Sequence, residues 1–216
     1  MKYKIAIFDL DGTLLDTLQD LAISTNFALE NCGYPQRTLE EVRCFVGNGI
    51  EKLIERALPK GTLPNERARV LEVFKTHYAR HCEDYTAPYK GITELLDHLI
   101  ERGISIAVVS NKIDFAVKSL CEKYFGDRIT AAVGEREGIR RKPYPDSVLE
   151  VLRKANIEPS DAVYIGDSEV DIQTAINAKT DMIIVTWGFR DKNFLAELGV
   201  AVFAESVDQL ERLILS

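Results

Sequence analysis

Nowhere does the sequence approach the roughly 18 consecutive apolar residues of a membrane span. The opening stretch MKYKIAIFDLDG meets acidic residues too soon for a signal peptide. Both absences predict a cytoplasmic protein with no membrane partner. Basic residues are in deficit, with 27 Lys and Arg against 34 Asp and Glu for a net charge of −7. A general binder of nucleic-acid backbones needs the opposite balance, so nucleic acid is excluded as a partner. A small anion needs only a local positive site and stays open. Cysteine is sparse and unpatterned: Cys32, Cys44, Cys82 and Cys121 form no CxxC pair, which predicts reduced thiols rather than metal clusters. Internal repeats, low-complexity tracts and long linkers are also missing.

What is present is a globular composition, 46% hydrophobic and 28% charged over 216 residues, sufficient for a substantial core. Four β-rich runs, KIAIFDL, GISIAVVS, DAVYIGD and TDMIIVTW, are each followed by helical periodicity. This is the pattern of parallel strands joined by crossover helices. RITAAVG and VAVFAES are weaker strand candidates, and helices are expected near 91–102, 114–124, 145–156, 169–178, 191–198 and 206–214. The fold class read from this is α/β: a Rossmann-like core with a predominantly parallel sheet flanked by helices. Residues 16–82 break the alternation with four helical segments, one opening on a capping box at Thr38 and Glu41. The expected division is therefore a catalytic core of 1–15 and 83–216, with a small all-helical domain of 16–82 inserted after the first strand.

In an open parallel sheet, ligands bind beyond the carboxyl ends of the strands. The predicted topology brings four polar clusters to that rim: Asp9 to Thr13, Ser110-Asn111, Lys142 within RRKPYPD, and Gly166-Asp167-Ser168. Singly, each has a plain explanation as a turn former, a helix cap or a solvated basic run. An EF-hand fails on spacing, since Leu14 stands at its required glycine and Asp20 at its last ligand. Taken together, the clusters point to an anionic substrate. Asp9 and Asp167 are hard oxygen ligands suited to Mg²⁺. Lys142, the Ser110 hydroxyl and the turn N–H groups at Gly12, Thr13 and Asn111 are candidate phosphate ligands. Asp9 can then attack phosphorus, with Asp11 supplying and removing the proton.

DLDGTLLDT, VVSNK, KPYPD and GDSEVDI, in that order, resemble the motif set of the haloacid dehalogenase-like hydrolases across the whole core. The resemblance implies a phosphorylated Asp9 and an acid/base Asp11 that also offers its backbone carbonyl to Mg²⁺. It makes Ser110 and Lys142 phosphate ligands, Asp167 a direct metal ligand, and Asp171 a residue behind the metal or beside Lys142. The helical insert looks like the family's cap, which selects the substrate. VRCFVGNGIEKLIERAL, PYKGITELLDHL, VVSNK and VTWGF are most similar to the phosphoglycolate phosphatase branch. There, Arg43 and Asn48 are candidates for a substrate carboxylate.

The expected activity is thus Mg²⁺-dependent hydrolysis of a small phosphorylated metabolite, phosphoglycolate first. Sugar-phosphate phosphatase, pyrophosphatase and β-phosphoglucomutase-like phosphoryl transfer are the neighbouring readings. A phosphonoacetaldehyde hydrolase would need a Schiff-base lysine in the insert, and Lys52, Lys60 and Lys75 give no sign of one. A non-enzymatic phospho-accepting module would resemble a receiver, but receivers carry no such insert. His77 and His81 at i, i+4 lack a third ligand and are expected in solvent, while Trp187 and Phe189 are expected to pack under the rim.

Overall fold

A computed structural model describes residues 2–216, and the chain divides into two compact units, Met1–Leu15 with Pro88–Ser216, and Asp16–Ala87. The first unit holds strands β1 (Ile5–Phe8), β4 (Ser105–Ile113), β5 (Ala131–Glu135), β6 (Ala162–Gly166), β7 (Asp181–Val185) and β8 (Phe203–Ala204). They form one sheet in the order β5-β4-β1-β6-β7-β8, with every pairing parallel. Two short strands unforeseen from the sequence, β2 (Leu15–Asp16) and β3 (Ala87–Pro88), pair where the chain leaves and rejoins this unit.

Near-continuous apolar runs form strands here because both faces of the sheet are covered. Ala6, Phe8, Ile106, Val108, Val163 and Ile165 pack on one side with α5 (Ile92–Glu101), α6 (Asp114–Phe125) and α10 (Val207–Leu215). Their alternates Ile5, Ile7, Ala107, Val109, Ala162 and Tyr164 pack on the other with α7 (Asp146–Ala155) and α8 (Glu169–Ala178). This is the two-residue period of a strand, with each strand feeding both layers. The sixth expected helix is α9 (Lys192–Glu197), whose Leu195 packs with Ile172 and Ile184. β1 lies between β4 and β6, and the chain builds outward first on one side and then on the other. The end of β1 is therefore the topological switch point.

The second unit contains α1 (Leu18–Asn31), α2 (Leu39–Phe45), α3 (Ile50–Ala57) and α4 (Pro64–His81). The capping box forms in both directions: Glu41 N–H donates to Thr38 Oγ1 at 3.2 Å, and Thr38 N–H donates to Glu41 Oε2 at 2.8 Å. Pro64 opens α4, where its missing N–H has no intrahelical partner to lose. This unit continues past α4 to Ala87, beyond the residue 82 read from sequence. Buried Asp20 gathers that segment by accepting from the amides of Tyr85 and Thr86 and from the Thr86 hydroxyl. His77 and His81 are half-buried rather than free in solvent, because His77 stacks between Phe27 and His81 and pairs with buried Ser24.

Candidate active site

Asp9 directly follows β1, and its amide continues the ladder by donating to Ile165 O at 2.8 Å. The chain then curls tightly, with the amides of Thr13, Leu14 and Leu15 all converging on Leu10 O. Gly12 sits at φ +85° in this turn, and a Cβ there would lie 2.5 Å from Asp167 Oδ2. A Cβ on Gly188 would collide with Asp167 and with Gly12 O. Two glycines thus leave the space that Asp167 occupies. Trp187 and Phe189 pack beneath the rim, the Trp187 indole donating to Thr13 O at 3.2 Å.

Lys142 is the hub. Its ammonium lies 2.9 Å from Asp9 Oδ1, 2.8 Å from Asp171 Oδ1 and 3.1 Å from the Tyr164 hydroxyl. Burial alone would push its pKa down, but Asp171 and Asp9 hold it well above the ordinary lysine value. A solvated surface was the plain alternative for the basic run RRKPYPD, against the expected phosphate-ligand role of Lys142. Instead Lys142 is buried while its neighbours turn outward, Arg140 to Asp146 and Arg141 to Glu135. Those pairings largely cancel the local positive charge that the run suggested.

Asp9, Asp167 and Asp171 are all buried, with carboxylate oxygens within 4.8 Å of one another. Asp171 is saturated: Oδ1 takes Lys142 and Tyr164, and Oδ2 takes the hydroxyl and amide of Ser168 and the amide of Asp167. Asp167 accepts from Phe189 N–H at 2.7 Å and from Thr13 Oγ1 at 3.3 Å, which leaves each oxygen a lone pair. Asp9 Oδ1 takes Leu10 N–H and Lys142, and Oδ2 receives no hydrogen bond among the described residues. Burial pushes the Asp9 pKa up to about 7 against the pull of Lys142, with Asp171 and Asp11 adding to the rise. Burial, and then the charges of Asp171 and Asp9, raise Asp167 well above the usual carboxylate range.

Asp11 turns elsewhere, to Lys112 Nζ at 2.9 Å. Four carboxylates, of Asp9, Asp11, Asp167 and Asp171, therefore face two buried ammonium groups, of Lys112 and Lys142. With all four ionised, the excess of two negative charges would match one divalent cation. All-oxygen donors with open lone pairs on Asp9 and Asp167 fit a hard ion.

The remaining residues singled out in the sequence divide between the units. Ser110 and Asn111 are buried within β4, where the register with β5 slips between Val109 and Ile113. Strand pairing thus runs past the point where a turn was expected. Ser110 Oγ accepts from Lys112 N–H, and Asn111 Nδ2 donates to Lys142 O. The amides of Gly12 and Thr13 are committed within their own turn, to Leu15 O and Leu10 O. Arg43 and Asn48 belong to the helical unit, where Arg43 pairs with Glu40 and Asn48 accepts from Arg56. The sequence reading gave no role to Lys112, Tyr164 or Gly188. Lysine and tyrosine inside otherwise apolar strand runs were the available signal.

The family model of the haloacid dehalogenase-like hydrolases matches residues 6–185. The chain belongs to that family. Among curated members, a phosphoglycolate phosphatase of Pseudomonas savastanoi pv. phaseolicola is 33% identical over 217 residues, covering 98% of this chain and 78% of the relative. One from Agrobacterium fabrum is 38% identical over 192 residues, covering 87% and 82%. The crystal structure of a candidate phosphoglycolate phosphatase from Lactobacillus delbrueckii subsp. bulgaricus superposes with a TM-score of 0.95 at 41% identity, covering 99% of both chains. Like other members, this haloacid dehalogenase-like hydrolase is an enzyme with a mostly parallel α/β core. None of its helices, among the described residues, is long and apolar enough to cross a membrane.

Proposed function

We propose that this hydrolase is a Mg²⁺-dependent phosphatase that cleaves a small phosphate monoester through a phospho-aspartyl intermediate on Asp9. The observation that carries the reading is the state of Asp9. One carboxylate oxygen is anchored by Lys142, the other receives no hydrogen bond among the described residues, and an Asp167 carboxylate oxygen lies within 4.8 Å of one on Asp9. Asp9, Asp167 and the Asp11 carbonyl would hold the ion, which when bound offsets the repulsion between carboxylates and phosphoryl oxygens.

Asp9 Oδ2 attacks phosphorus as the bond to the ester oxygen breaks, and Asp11 gives that oxygen its proton. Water then attacks phosphorus and passes a proton to Asp11, the bond to Oδ2 breaks, and phosphate leaves with Asp9 restored. Ser110 and Lys142 bind phosphoryl oxygens, and Asn111, Gly12 and Thr13 shape the surrounding turns. Asp171 and Tyr164 keep Lys142 in place.

Phosphoglycolate is the proposed substrate, supported by the names of the curated relatives. The helical unit acts as the cap that selects it, with Arg43 and Asn48 as the residues to test for the substrate carboxylate. A steady-state panel of phosphorylated metabolites with and without Mg²⁺ tests the whole reading. Phosphate release should require Mg²⁺ and show the highest kcat/KM for phosphoglycolate, and Arg43→Ala should raise KM more than it lowers kcat. A preference for hexose phosphates or pyrophosphate would replace the substrate, and metal-independent turnover would replace the mechanism.

A further inference from the structure

We propose that Lys112 is a positioning residue for catalysis, holding the Asp11 carboxylate where it exchanges a proton with the leaving-group oxygen. The inference rests on the reading in which Asp11 is the acid/base.

Lys112 lies at the end of β4, with its side chain only 4% exposed, and its ammonium is 2.9 Å from Asp11 Oδ1. Burying an ammonium is costly without a partner, and Asp11 is distant in sequence, reached only because β4 lies beside β1. The pair thus ties the end of β4 to the turn that follows β1. Asp9 and Asp11 stand two residues apart and would compete for a single cation. The structure supplies two, with Lys142 on Asp9 and Lys112 on Asp11. Only Oδ1 of Asp11 is engaged by Lys112, and the Asp11 side chain keeps 16% exposure, more than any other carboxylate of the cluster. Lys112 holds it at one oxygen, and the side chain stays partly accessible.

Leaving-group chemistry separates the two roles. When the ester bond breaks, an alkoxide must receive a proton, whereas p-nitrophenolate leaves without one. Rapid-quench measurement of the phosphoryl-transfer step should therefore give different losses for phosphoglycolate and p-nitrophenyl phosphate. Lys112→Met is expected to slow the alkyl ester about 10- to 100-fold, part of the usual contribution of a general acid, and to leave the aryl ester nearly unchanged. Lys112→Arg should recover most of the alkyl rate. Added to Asp11→Asn, Lys112→Met should cost nothing more, because both changes remove one function.

Equal losses on both esters, or losses that multiply in the double variant, would overturn the assignment and leave Lys112 a structural residue. Circular dichroism of each variant guards against misfolding, and the Asp11→Asn comparison is read only between folded proteins. Failure of the underlying reading looks different. In that case the wild-type enzyme itself would form no phosphorylated Asp9, whatever stood at position 112.

Discussion

Asp9 meets opposing demands: it is buried, it is surrounded by other carboxylates, and as the proposed nucleophile it must be ionised to attack phosphorus. Its pKa of about 7 in the folded, metal-free protein exceeds the ordinary value near 3.8. The unfolded chain therefore releases this proton first as pH rises. The Asp9 contribution to the stability of the metal-free protein, read as wild type against Asp9→Asn, should fall between about pH 4 and 7. Asp167, raised for the same reasons, extends the trend to higher pH. Asp9→Asn lacks this contribution, and its metal-free melting temperature should exceed that of wild type at pH 8. Adding Mg²⁺ should raise the wild-type melting temperature more at pH 8 than at pH 5.5, since a proton on Asp9 competes with the ion. Thermal melts across that range, with EDTA or with Mg²⁺, check both signs. A metal-free wild-type protein that gains stability relative to Asp9→Asn from pH 4 to 7 would contradict the electrostatic account.

At the level of elements, the turn after β1 depends on an absence of side chains. Gly12→Ala would force a Cβ against Asp167 Oδ2 at a φ of +85°, a backbone strain of about 1–3 kcal/mol. Asp167 must shift, so Mg²⁺ affinity should fall at least tenfold, and the melting temperature should drop by several degrees. Mg²⁺ titration by calorimetry measures the first effect, and unchanged affinity would show that Asp167 does not need this space. Much at this scale was legible beforehand. Continuous burial of strands such as Ile5–Phe8 follows from their apolar runs, and the Thr38–Glu41 box was written in the spacing. What escaped reading were particular side-chain pairings at the rim where the distant segments were expected to meet. Nothing near Lys112 in the chain announces Asp11, and nothing near Lys142 announces that a basic run would bury one member. Gly188 likewise looks like a turn residue until Asp167 is seen against it. The limits of β4 were misjudged because Ser110 and Asn111, polar in sequence, remain in the strand.

Across the whole molecule, an acidic chain of net charge −7 handles an anionic substrate through local order rather than bulk charge. The parallel sheet collects residues from four separate segments at the switch point beside β1, and family membership over residues 6–185 spans all four. The helical unit contributes none of the carboxylates or lysines gathered there. If the helical unit selects the substrate, as proposed, chemistry and substrate choice can vary separately. On that division, changes in residues 16–87 should alter which ester is hydrolysed, and changes at the sheet rim should alter whether any is. The most direct measurement is acid quench during turnover with Mg²⁺ and phosphoglycolate, followed by peptide mass spectrometry. The account predicts one phosphoryl group on Asp9 in the wild-type enzyme and none in Asp9→Asn, whose turnover should fall by on the order of 10⁶-fold. A wild-type peptide without phosphate, or an Asp9→Asn variant that still turns over normally, would contradict it.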